Sequence, residues 1–124
     1  MAGTSSIVHP EADQVRRKLT QPAAGGLPGA PGLVGDRPCV LITGQDAGGF
    51  ATVRFTGTAR LRVHGMGPTN PAALAENAAV FYDPAPGGGN ANINADLTNG
   101  VRFGTLVEAV ASGAQVDVLV DIHR

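Results

Sequence analysis

The sequence predicts an all-β fold, a small β-barrel or sandwich of about six to eight strands, with an N-terminal arm carrying one short helix. Three observations point there. Residues Phe50 to His64 alternate apolar and polar side chains, and Gln115 to Ile122 do the same. Turn-forming residues punctuate the remainder at short intervals, with 18 Gly and 9 Pro among 124 residues. Apolar residues make up 43% of the chain but aromatics only 4%, with no Trp, and much of the apolar content is Ala and Val, so a thin, β-branched core is expected.

Taken in order, residues 1–35 read as the arm and residues 36–124 as the β domain. A helix is expected over His9 to Gln21. Pro10 suits its first position, Glu11 and Asp13 its first turn, and Arg16, Arg17 and Lys18 its last, where cations complement the helix dipole. Val8, Ala12, Val15 and Leu19 recur at helical intervals as one apolar stripe, and Pro22 stops the run. A helix this short is marginal alone in water, so its stripe needs a surface to lie on. Val8, Ala12, Val15 and Leu19 are therefore the candidate partner-binding residues. Gly26, Gly29, Gly32 and Gly35 follow at every third position, with Pro28 and Pro31 between, and read as a flexible or polyproline linker. The segment from Asp36 is then expected to fold without the arm.

In the second part, Cys39 to Thr43 is a short buried run and Gln45 to Gly49 a turn. Between Phe50 and His64, Val53, Phe55, Ala59, Leu61 and Val63 share one face, with Gly57 among them marking a bulge or bend. Asn70-Pro71 opens a single helical turn through Ala75, and Ala79 to Tyr82 is a strand. Asn92 to Leu97 is a short strand, Asn99-Gly100 a hairpin turn, and Val101 to Val110 another strand. In the last strand Val116, Val118, Val120 and Ile122 face inward. Asp117 and Asp121 face outward, within reach of cross-strand pairing with Arg54, Arg60 or Arg62.

Catalysis needs convergent polar groups, and the sequence offers few; no enzyme is expected. Cys39 is the only cysteine and sits in an apolar run, where a buried inert thiol is the expected state. His9, His64 and His123 lack zinc-motif spacing, and Ser5, Ser6 and Ser112 lie in no nucleophile elbow. Gly65-Met66-Gly67 begins a dinucleotide fingerprint that Asn70 breaks, and the single lysine, Lys18, excludes a phosphate loop. No cofactor or metal follows. The net charge of −1 speaks against a nucleic-acid partner, and the Arg54, Arg60 and Arg62 stripe has no aromatics interleaved for base stacking. No stretch approaches the ~20 apolar residues of a membrane span, and the N-terminus lacks signal-peptide character, so synthesis in a cytoplasm without a membrane partner is expected.

Three segments carry a resemblance. Val40-Leu41-Ile42-Thr43-Gly44 precedes a Gly48-Gly49 turn and the alternating strand from Ala51 to Val63. Ala79-Val80-Phe81-Tyr82-Asp83 precedes a Gly-rich turn. Gly104-Thr105-Leu106-Val107-Glu108-Ala109-Val110-Ala111-Ser112-Gly113 leads into the valine-rich strand from Val116 to Ile122. Together they resemble the small β-rich head decoration, or capsid-stabilising, proteins of tailed bacteriophages, over roughly 85 residues from Asp36 onward. The resemblance implies a structural protein of the virion, on the outer capsid surface. There it would bind major capsid protein and brace neighbouring subunits, often as a homotrimer. The alternative is another virion structural or carbohydrate-binding β module, such as a tail or fibre adaptor.

Overall fold

The computed structural model describes residues 14–86 and 90–123. Among them the chain is all β, with nine strands and no helix. Strands β1 (Gln14–Lys18), β2 (Pro31–Val34), β3 (Arg37–Leu41) and β4 (Phe50–Arg54) form a four-stranded sheet in the order β1-β4-β3-β2. Strands β5 (Gly57–His64), β6 (Ala79–Tyr82), β7 (Ile93–Asn94), β8 (Val101–Leu106) and β9 (Gln115–Ile122) close into a barrel in the order β5-β7-β6-β8-β9. β5 closes it by pairing β7 in parallel at Val63 and Ile93, and β9 in antiparallel register from Gly57–Ile122 to His64–Gln115.

The alternating run from Phe50 to His64 is therefore two strands in two sheets. Gly57, at φ 100, supplies the left-handed backbone at which the chain leaves β4 and enters β5. The apolar residues that share one face in the sequence pattern consequently serve two cores. Leu61 and Val63 join Val80, Tyr82, Ile93, Phe103, Leu106, Val118, Val120 and Ile122 inside the barrel. Val53 and Phe55 join Leu19, Cys39, Leu41 and Ala51 on the sheet. Leu33 and Val40, from β2 and β3, pack into the barrel cluster and lock the sheet to it. At ~1.5–3 kcal/mol for each fully buried aliphatic side chain, these two residues are a substantial part of that junction.

The expected helix over His9 to Gln21 is not what the described part of that segment forms. Residues 14–18 are β1, registered antiparallel on β4 from Gln14–Arg54 to Lys18–Phe50; residues 9–13 lie outside the described residues. The chain then crosses to β2, where the Thr20 and Gln21 amides donate to the Leu33 carbonyl at 2.8 and 3.2 Å and the Leu33 amide donates to the Gln21 carbonyl at 2.8 Å. The Gly-rich stretch is likewise structured. Gly32 lies in β2, where a Cβ would fall 2.8 Å from the Gln21 carbonyl oxygen, so the close crossing admits no side chain there. Gly35-Asp36 is the two-residue loop of the β2–β3 hairpin, with Gly35 at φ 64 in its first central position. Strand pairing thus runs across residue 35 in both directions, through β1–β4 and β2–β3.

Two smaller readings also change. The segment after Asn70 holds no helical turn, and instead makes isolated bridges between Met66 and Pro71 and between Leu74 and Val110. Asn99-Gly100 joins β7 to β8, which are not paired with each other, so it is not a tight hairpin.

Candidate partner-binding surface

β1 is a terminal strand of its sheet and pairs with β4 alone among the described residues, which leaves its other edge open. All five of its residues are exposed. An open edge presents unpaired backbone groups, which another strand can meet. Three of the five side chains are basic, Arg16, Arg17 and Lys18, and such charge deters indiscriminate pairing while favouring a complementary partner.

Alternation divides these side chains between the two faces of the sheet. Val15 and Arg17 stand opposite Val53 and Ala51, on the buried face. Arg17 lies with its guanidinium 5.8 Å from the Phe55 ring centroid, and Arg37 approaches the same ring to 3.8 Å, so two cations flank one buried aromatic. Gln14, Arg16 and Lys18 share the other face with Phe50, Thr52 and Arg54. Ile42 continues this face beyond Val40, and its amide donates to the Thr52 carbonyl at 2.8 Å. Toward β3 the face is covered by the barrel; toward β4 and β1 it opens, and Ile42 and Phe50 are 40% and 37% exposed. The result is a mixed basic and apolar patch beside an open strand edge.

Asp46 organises the turn beside it. Its carboxylate accepts from the Gly48 and Phe50 amides, both at 2.9 Å, and pairs with Arg16. The Phe50 amide, then the Arg16 side chain, hold the Asp46 carboxyl below the usual carboxylate range. Charge is also unevenly divided along the chain. Residues 14–56 carry five basic and two acidic side chains, whereas residues 57–123 carry three and six.

Of the stripe singled out in the sequence, Val8 and Ala12 lie outside the described residues. Val15 is 36% exposed on β1, while Leu19 is 6% exposed in the sheet core. The structure therefore separates Val15, at the surface, from Leu19, which has a packing role. Among the described residues, β1's open edge is the feature the helical reading hid.

The other singled-out residues scatter. Cys39 is fully buried, and burial pushes its thiol up to about 12. His64, 8% exposed, ends β5, and Nε2 of His123 lies 2.6 Å from the Thr105 hydroxyl. Ser112 is exposed in a turn; His9, Ser5 and Ser6 lie outside the described residues. Among the described residues, no three His, Cys, Asp or Glu side chains are grouped to hold a metal ion. On the outer face of β5 and β9, Arg62 registers opposite Asp117, Thr58 donates to Asp121, and Arg60 lies 3.6 Å from the Glu108 carboxylate and donates to the Asp117 backbone carbonyl at 3.2 Å. Such exposed pairs are worth at most about 1 kcal/mol.

Comparison with known protein families, curated proteins and solved structures finds no match to this chain.

Proposed function

We propose that the chain is a capsid decoration protein of a tailed bacteriophage, bound to the outer surface of the assembled head. There it bridges major capsid protein subunits and self-associates, as a homotrimer. The observation that carries this reading is the open basic edge of β1 beside the Ile42 and Phe50 patch, mounted on a closed barrel. A barrel has no free edges of its own, so strand-on-strand recognition is concentrated at the sheet. The three sequence segments that resemble decoration proteins add the partner: a repeating protein lattice.

A single small domain offers a limited footprint against the ~1,600 Å² of a standard stable interface. Symmetric self-association multiplies weak contacts by raising their effective concentration. Basic side chains at the edge steer the protein toward an acidic capsid surface and make binding sensitive to salt.

The test is co-sedimentation with empty heads assembled from the major capsid protein of the same genome, with sedimentation equilibrium on the free protein. The expected result is saturable binding, a trimer in solution and heads that withstand higher temperature when coated. Heads that sediment bare at saturating protein overturn the reading.

A further inference from the structure

Asn99-Gly100 is the one Asn-Gly dipeptide of the chain. Asparagine is among the thermolabile residues, and a following glycine places no side chain in the way of its backbone nitrogen. The chemistry is intramolecular. The Gly100 nitrogen attacks Asn99 Cγ, a C–N bond closes a succinimide ring, the Cγ–Nδ2 bond breaks, and ammonia leaves carrying the Gly100 amide proton. Water then opens the ring at either carbonyl, giving aspartate or isoaspartate. Asn99 is exposed, so water has access to it.

One residue holds both reacting groups. The Asn99 side-chain amide, which must leave, donates to Asp96 Oδ2 at 2.9 Å. The Gly100 amide, which must attack, donates to the Asp96 carbonyl oxygen at 2.9 Å. Asp96 Oδ1 accepts from the Thr98 and Asn99 amides, both at 3.1 Å, and fixes the backbone between them. Asp96 is in turn 2% exposed, and its own amide donates to Oδ1 of the fully buried Asn94 at 2.8 Å. Gly100 has no room to swing, because even a Cβ there would lie 2.6 Å from Phe81 Cβ.

We infer that Asn99 is a site of spontaneous deamidation and that Asp96 is the latch that keeps it closed in the folded protein. The loop has a direction built into it. Deamidation turns a donor amide into a carboxylate facing the Asp96 carboxylate, so the latch that opens and reacts cannot close again. The Asn99 side-chain amide, ahead of the Asn99 and Thr98 backbone amides, holds the Asp96 carboxyl below its ordinary range, which favours the charged form that accepts these bonds. This inference is independent of the proposed capsid role.

The test is incubation in mildly alkaline buffer, with deamidation followed by intact mass and located by peptide mapping. Folded wild type is expected to deamidate at Asn99 at least roughly tenfold more slowly than the same protein in urea, and Asp96→Asn, checked for folding by circular dichroism, roughly tenfold faster than folded wild type. A folded Asp96→Asn protein that ages at the wild-type rate overturns the latch. Should that variant not fold, the wild-type comparison decides: equal rates in buffer and urea, or modification elsewhere in preference to Asn99, overturn it.

Discussion

A chain lacking residues 1–35 is expected to lose its cooperative thermal transition, although the composition of those residues suggests a dispensable arm. β1 and β2 are the two outer strands of the sheet, and deleting them leaves β4 and β3 with both edges bare. The deletion also takes Leu19 from the sheet core and Leu33 from the barrel cluster, at 6% and 3% exposure. Each is worth ~1.5–3 kcal/mol of burial, against a total stability of roughly 5–15 kcal/mol for a small domain. Circular dichroism with a thermal melt is the measurement. A cooperative melt at the full-length midpoint would show that the barrel and β3–β4 stand alone.

Phe103→Ala is expected to be the most damaging single truncation. Phe103 is fully buried at the centre of β8, and its ring lies 6.3 Å from that of Tyr82 on the paired strand β6. Removing it costs about 3–5 kcal/mol in lost transfer energy and residual cavity. In a domain of this size that lowers the melting midpoint by roughly 10–20 °C. Phe50→Ala, at a site 37% exposed, is the control and is expected to cost no more than about 1 kcal/mol. Comparable losses from both would mean that the open face around Phe50 is part of a core.

Where each side chain has one job, the sequence is legible. Ala79–Tyr82 and Gln115–Ile122 are strands with the bounds their patterns give, because Val80, Tyr82, Val118, Val120 and Ile122 all meet the same barrel interior. Val116, at the strand's start, is 40% exposed instead. β1 was hidden by Arg17. A strand reading of Val15 to Leu19 needs an apolar residue at position 17, and the guanidinium there is used for its approach to the Phe55 ring. With Arg17 counted as polar, Val15 and Leu19 fit a helix, and three consecutive cations imitate a helix end. The two cores were hidden for a different reason. Alternation says which side chains share a face of a strand, but Gly57 moves the chain from one sheet to another without disturbing the period. The hairpin at Gly35-Asp36 did carry a local signal, a glycine at the first position of a two-residue loop, obscured by the glycine repeat around it.

The candidate binding surface was legible only as a stretch of chain, since an open edge is a property of sheet order and not of any residue. Val15 nonetheless lies both in the stripe read from the sequence and on β1, and at 36% exposure it can be changed without emptying a core. The decisive measurement is the affinity of Val15→Asp for empty heads beside that of wild type, with both proteins shown to melt at similar temperatures. Binding through β1 predicts a loss of roughly tenfold or more, because the new carboxylate would oppose the acidic surface proposed as the partner of this basic edge and would be desolvated beside an added strand. Unchanged affinity and salt dependence in a folded Val15→Asp protein would contradict it, and would place the contact elsewhere on the molecule.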